Sequence, residues 1–192
     1  MSNKEDTRKR ILRSARELLE EDPRSATMAT IASAAGVSRQ LLYFHFDGRL
    51  DLLVSLSRTV DAEVRTEARQ AKVDGAPDAV AALREAVALQ GYIKPRINGI
   101  AVAIDEMRSD DPAAGAAWEE RESYRYRRCL DVVRRLEREG ALSPDWKVPV
   151  AARLMWSNTG QRAWRELVVE SGWSTRRWIS HTTALLERAL VP

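Results

Sequence analysis

Cysteine is almost missing from this 192-residue chain, where Cys129 stands alone. One cysteine excludes an internal disulfide and fits a reducing compartment, so a cytoplasmic location is expected. Histidine is nearly as scarce, with only His45 and His181, and no His/Cys grouping has the spacing of a metal site. No metal and no cofactor are expected. An enzyme would need a nucleophile, a base and a stabiliser brought together. Two histidines, one cysteine and no glycine-rich phosphate loop after a strand supply none, so no enzymatic activity is expected. The acidic pairs Asp105-Glu106 and Asp110-Asp111 do not change that, since the second reads as a helix cap. No run of ~18 apolar residues exists, so no membrane span is expected. The polar start Met1-Ser2-Asn3-Lys4-Glu5-Asp6 does not read as a secretory leader.

Charge of one sign is lacking too. The net charge is +3, which permits a nucleic-acid partner without establishing one. Residues 1–50 hold nine Lys/Arg and seven Asp/Glu. Any contact with DNA must therefore come from individually placed side chains and not from a basic tail.

What is present is helical periodicity from end to end. Ile11, Leu12, Ala15, Leu18 and Leu19 recur on one helical face, and Asp22-Pro23-Arg24-Ser25-Ala26 breaks that helix. Thr27 is placed to cap a short helix containing Ile31, Ala32 and Ala35, which Gly36 ends. Ser38 then caps a third helix running through Leu41, Leu42 and Tyr43 to about His45. Leu50, Leu53, Leu56, Val60 and Val64 predict a long helix reaching Val73, stopped by Asp74-Gly75-Ala76-Pro77. Gly91 and Pro95 are expected to divide the next stretch into two helices. Asp111-Pro112 opens a helix that ends at Gly140, another runs from about Lys147 to Ser171 before Gly172, and Ser174 caps the last. The fold class is all-α, with about nine helices.

The informative stretch is Gly36-Val37-Ser38-Arg39-Gln40-Leu41-Leu42-Tyr43-Phe44-His45-Phe46-Asp47-Gly48-Arg49-Leu50. Glycine, an apolar residue, serine, three variable positions, Leu-Tyr, one variable position, His-Phe and then a basic residue resemble the TetR family signature. Ile11-Leu12…Ala15…Leu18-Leu19 and Thr27…Ile31-Ala32…Ala35 match that family's first two helices, so the resemblance covers residues 7–53. The remainder is similar only in helix lengths and in the run Glu139-Gly140-Ala141-Leu142…Asp145. The resemblance implies an N-terminal three-helix helix-turn-helix domain over residues 1–48. Residues 49–192 would be a C-terminal helical bundle for ligand binding and dimerisation. It also implies that Tyr43, His45 and the basic position, here Arg49 in place of the usual lysine, contact the DNA backbone. Two further departures stand out. Pro23-Arg24 replaces a frequent Gly-aromatic pair, and Met28, Ala29 and Thr30 stand where relatives often carry Arg or Asp.

The residue chemistry leads the same way. A recognition helix needs one side held by the core and the other free for the groove. Leu42 and Phe46, four apart, suit the core, which leaves Arg39, Gln40 and Tyr43 outward. Arg and Gln make bidentate hydrogen bonds to guanine and adenine edges, while Tyr43, His45 and Thr27 suit phosphate oxygens. Ser38 and the amides at the helix start favour an anion. A cation at the start of the following helix opposes the dipole, so Arg49 makes more sense beside a phosphate. Base readout is then expected mostly from Arg39, Gln40, Leu41 and Phe44.

In the second half, Trp156, Gly160, Ala163, Trp164 and Leu167 form one face of the penultimate helix. Trp178, Thr182, Leu185, Leu186 and Ala189 form a stripe on the last. The resemblance implies that the last two helices build the dimer interface, for which Gly160, Ala163, Trp164, Leu167, Trp178, Thr182, Leu185 and Leu186 are the candidates. A ligand pocket is expected from Tyr92, Asn98, Met107, Trp118, Tyr124 and Trp156, aromatic or polar groups on otherwise apolar helices. The partners implied are double-stranded operator DNA, a second copy of the chain and an unidentified small-molecule inducer. The rival reading keeps the fold but makes the protein a DNA-associated adaptor that recruits a protein partner and senses no small molecule.

Overall fold

Helix α1 (Asn3–Glu21) forms because Ile11, Leu12, Ala15 and Leu19 fall on one face, and all four are buried. The computed structural model describes residues 3–192, so Met1 and Ser2 of the polar start lie outside the described residues. After α1 the chain turns through Asp22, whose carbonyl accepts from Ser25 N at 3.1 Å. Thr27 caps α2 (Met28–Ala34) through a reciprocal pair with Thr30, each side chain accepting from the other's backbone N–H. Gly36 ends α2 in the left-handed conformation, with φ of 61°. There Val37 N closes the turn on Ala32 O at 3.0 Å. Ser38 caps α3 (Arg39–His45), and α4 (Arg49–Glu63) follows.

The chain is helical throughout the described residues, through α5 (Thr66–Asp74), α6 (Ala79–Met107), α7 (Pro112–Arg138), α8 (Val148–Asn158), α9 (Gln161–Arg165) and α10 (Thr175–Leu190). A π-helical turn, Glu166–Glu170, extends α9. Three boundaries differ from the sequence expectation. The helix expected to run on to Val73 breaks at Arg65, a non-glycine residue held at φ 50°. Gly91 and Pro95 do not divide α6, which is continuous for 29 residues. A proline ring inside a helix collides with the carbonyl four residues earlier, which here belongs to Gly91. That glycine is pressed against Trp178 and Ile179 of α10, where a Cβ would overlap Ile179. The apolar stripe of Leu83, Val87, Ile93, Ile97 and Ile100 runs through the proline and holds the helix together.

The third difference is the penultimate helix, which breaks at Thr159-Gly160. Gly160 has φ −69° and ψ 161° and is the cap residue of α9, not a mid-helix position. Asp111 caps α7 as expected, its Oδ1 accepting from Ala113 N at 2.9 Å. Ser174 caps α10, accepting from Arg177 N at 3.1 Å. Gly140 and Gly172, both at φ 69°, end their helices as expected.

The chain groups into two units, residues 1–64 with 96–119 and residues 65–95 with 120–192. The first has its core at Ile11, Ala15, Ile31, Leu42, Phe46, Leu52 and Leu56, and α1 passes close to Gly99 of α6. The second is centred on Leu83, Val133, Leu136, Met155, Trp178 and Leu186. No helix among the described residues is long and apolar enough to cross a membrane.

Candidate nucleic-acid interface

The seven residues of α3 divide into two sides. Leu42 is fully buried, and Phe46, just past the helix end, is 1 % exposed. Between them Tyr43 is 48 % and Phe44 66 % exposed, and Arg39, Gln40 and Leu41 are also outward. An exposed phenylalanine and tyrosine on a short helix are the informative observation, because large aromatic groups are normally drawn inward. Burial of Leu42 and Phe46 removes apolar surface from water at about 25 cal/mol per Å2 and holds the opposite side out.

Capping fixes where α3 starts. Ser38 Oγ accepts from Leu41 N at 3.1 Å, so the hydroxyl keeps its O–H for another acceptor. Thr27 is engaged in the same manner at the head of α2. Met28 is buried, whereas Ala29 and Thr30 are exposed and Thr30 Oγ1 is spent on Ser25 O at 2.7 Å.

The far end of α3 is held by a residue that sequence reasoning missed. Arg8 of α1 donates from Nη1 to the carbonyl of His45 at 2.8 Å and from Nη2 to Ser55 Oγ at 2.9 Å. Its guanidinium lies 4.2 Å from the ring centre of Phe46. The signal was legible, since Arg8 precedes Ile11, Leu12 and Ala15 on the core stripe, where an apolar residue belongs. Lys4, one turn earlier, covers the Phe44 ring at 4.7 Å. Lys4, Glu5, Arg8, Phe44 and His45 together line a groove of about 390 Å3. In it burial, followed by the charges of Lys4 and Arg8, holds the His45 imidazole below its ordinary pKa of 6.5. His45 therefore stays neutral at physiological pH unless an anion approaches.

Arg49 has a partner within its own chain. Its Nη2 donates to Pro23 O at 3.0 Å, and its Nε is buried without an acceptor. Two of the departures from the TetR pattern, Pro23 and Arg49, are thus one arrangement. Pro23 stands where a Gly-aromatic pair is common, and the arginine in place of lysine reaches its carbonyl to hold the α1–α2 loop on α4. A lysine lacks the planar fork that makes such a side-on contact.

Of the expected pocket residues, Asn98, Met107 and Trp118 belong to the first unit, and Tyr92, Tyr124 and Trp156 to the second. Tyr124 is half exposed. Tyr92 lies under the Arg69 guanidinium at 3.5 Å, and Trp118 faces Arg108 at 5.2 Å. Trp156 packs beside Arg125 and Arg153.

The dimer candidates differ in burial. Trp164, Trp178, Thr182 and Leu186 are buried within the single chain, so they serve its own core and have no surface left for a second copy. The stripe of α10 turned inward is Trp178, Thr182, Leu186 and Leu190. Leu185 lies off it and is half exposed, and Ala163 and Leu167 are half-buried. Gly160 does not mark close approach of another helix, because a Cβ there would meet Ser157 O of its own turn at 3.1 Å.

Comparison with known proteins gives this geometry its context. Residues 11–56 match the family model of bacterial regulatory proteins of the tetR family. That span contains most of α1, the whole of α2 and α3, and the first half of α4. No curated protein matches the chain in sequence. Among solved structures, the chain is similar to a protein from Saccharomonospora viridis assigned as a transcriptional regulator and solved in complex with choline. That likeness has a TM-score of 0.79 at 19% identity, covering 98% of this chain and 99% of that one. The regulatory protein TetR from Rhodobacter sphaeroides gives a TM-score of 0.69 at 20% identity, covering 95% and 98%. The fatty acid degradation regulator FadR from Bacillus halodurans gives 0.76 at 16% identity, covering 97% and 96%. At such identities the likeness carries the fold over the whole length, and the family match carries the DNA-binding segment. Residues 11–56 thus carry the likeness to the tetR family, and the chain as a whole shares the fold of these regulators.

Proposed function

We propose that the protein is a repressor that binds an inverted-repeat operator as a homodimer and is released by a small-molecule inducer. The observation that carries the DNA contact is the outward side of α3, where Arg39, Gln40, Tyr43 and Phe44 stand in solvent while Leu42 and Phe46 anchor the helix. In this reading residues 1–48 are the DNA-binding domain and residues 49–192 hold the inducer and the second subunit. Arg39 and Gln40 read base edges, with Leu41 and Phe44 against thymine methyl groups. Tyr43, His45, Thr27 and Ser38 donate to phosphates, which position the helix without reading sequence. Arg49 keeps one Nη group for the same purpose while the other holds Pro23 O.

Dimerisation follows from the shortness of α3. One seven-residue helix binds a half-site weakly, and a two-fold pair doubles the phosphate contacts and sets the half-site spacing. Half-exposed Leu185 and half-buried Ala163 and Leu167 supply the apolar surface left free by the core. An inducer acts by binding better to the dimer whose α3 helices are wrongly spaced, so DNA affinity falls by linkage. The Saccharomonospora viridis protein in complex with choline supports the capacity of this fold to hold a small molecule.

The test is selection of bound DNA from a random duplex pool, followed by a screen for compounds that release the selected operator. Enrichment of an inverted repeat, lost in the Tyr43→Phe/Arg39→Ala double variant, is the expected result. Failure to enrich any sequence would remove the operator reading. A selected operator that no compound releases would leave DNA binding in place and turn the choice to the protein-recruiting adaptor.

A further inference from the structure

Lys94 occupies a place on α6 where the stripe of Leu83, Val87 and Ile97 calls for an apolar residue, and only 2 % of it is exposed. No hydrogen bond or ion pair holds its ammonium among the described residues. The charged groups it feels are Arg125, Arg121 and Glu122 of α7, together with the buried thiol of Cys129 on the same face. Glu122 is the carboxylate among them, and it is engaged by Arg125 Nη1 at 2.5 Å. Arg125 is itself buried. It donates from Nη2 to Trp156 O at 3.0 Å, and its Nε is enclosed with no acceptor. Trp156, whose ring centre lies 5.7 Å from that guanidinium, has an enclosed indole N–H that also lacks an acceptor.

A buried ammonium beside like charge is costly unless a counter-charge reaches it. Burial, with Arg125 and Arg121, holds the Lys94 pKa well below its ordinary value. That leaves two states for the site: a neutral lysine in the free protein, or a charged one once an anion is present. We propose that Lys94, Arg125 and Trp156 form the head-group site of a small acidic effector, receiving one carboxylate on an otherwise apolar molecule. Lys94 supplies the counter-charge, and Arg125 Nε and Trp156 Nε1 supply N–H donors that have no acceptor in the protein. A monoanion suits this donor set better than a phosphate, because Glu122 already neutralises part of the positive charge of Arg125. The apolar body lies against the Trp156 ring, which packs beside Arg125. This inference rests on the reading of the chain as a small-molecule-released repressor and names the chemistry of that small molecule. It also disfavours a quaternary ammonium such as choline at this site, since Arg125 and Arg121 already place positive charge beside Lys94.

The test uses three probes with comparable alkyl chains on the full chain: octanoate, octanol and octyltrimethylammonium, titrated by calorimetry and tryptophan fluorescence. Octanoate is expected to bind saturably and at least about tenfold more tightly than the other two. In Lys94→Met, octanoate affinity should fall about tenfold or more while octanol affinity stays within about twofold. Equal affinity for the three probes, or no saturable binding of octanoate, would overturn the proposal using the unaltered protein alone, whether or not the variant folds. An octanoate affinity unchanged in a folded Lys94→Met protein would overturn it as well. The selected operator separates this site from the broader reading. Octanoate that binds through Lys94 but releases no operator supports the site and removes the inducer role. Operator release by octyltrimethylammonium and not by octanoate keeps the inducer role and overturns the acidic site.

Discussion

The guanidinium of Arg8 donates to the carbonyl of His45 at 2.8 Å, tying the first helix of the chain to the last residue of α3. Through Ser55 and the Phe46 ring the same side chain also holds α4 and the buried anchor of α3. The orientation of α3 is thus set from behind by Leu42 and Phe46 and from its end by Arg8. Arg8→Ala should lower unfolding free energy by about 1–3 kcal/mol, from two lost hydrogen bonds of a charged donor. Arg8→Lys should recover little of it, because one ammonium cannot replace the fork. Urea unfolding of both variants checks this, and equal stability of Arg8→Ala and the parent would remove the bracing role.

The outward side of α3 predicts a division of effects. Arg39→Ala should cost ~1–3 kcal/mol of operator binding and relax preference at one position. Tyr43→Phe should weaken all sequences about equally and reduce the slope of affinity against salt by roughly one phosphate contact. Binding measured across a randomised operator library at several salt concentrations distinguishes the two, and an unaltered preference in Arg39→Ala would sink the base-reading role.

His45 gives a pH dependence with a definite sign. Its pKa in the folded chain lies below 6.5, chiefly from burial. Above pH 6.5 the ring is neutral folded or unfolded, and its contribution to stability is fully present. As pH falls through 6.5 the unfolded chain takes up the proton first, and stability declines until the folded ring is also protonated. A phosphate beside His45 reverses the local field and favours the charged ring. Operator affinity should therefore rise as pH falls below 6.5, and His45→Gln should abolish that rise. A flat profile for the parent protein between pH 5.5 and 8, quoted as roughly the span in which histidine titrates, would separate His45 from the phosphates.

Gly99 of α6 lets α1 approach its backbone. A Cβ there would overlap Leu19 O and stand 2.9 Å from Leu19 Cβ. Gly99→Val should destabilise the protein by about 1–3 kcal/mol through this overlap, and hydrogen exchange should quicken at the end of α1. Exchange unchanged around Leu19 would show that the crossing yields without cost.

Burial pushes the Cys129 thiol from its ordinary 9.0 up to about 11, against the opposing pull of Arg125. The native protein should react slowly with thiol reagents at pH 8, with on the order of one thiol in a thousand ionised, and rapidly once unfolded. Stability should also decline between pH 9 and about 11, where the unfolded thiol ionises before the folded one. Fast native labelling would place Cys129 at an accessible surface.

Local chemistry is what the chain declared without its fold. The caps Thr27, Ser38, Asp111 and Ser174 and the stops Gly36, Gly140 and Gly172 act on neighbours within a few residues, so helix ends at those points were legible. The two-sided character of α3 was legible for the same reason, since Leu42 and Phe46 are one helical turn apart. Tertiary packing decided the rest. Pro95 stays inside α6, whose apolar stripe is buried on either side of it. Arg65 takes a left-handed conformation that no residue type announced. Trp178 and Leu186 turn inward in one chain, where a stripe by itself does not say which body will cover it. Lys94 and Arg8 occupy core stripes whose polar partners come from other helices, and a charge's cost or use depends on distances that sequence spacing does not contain.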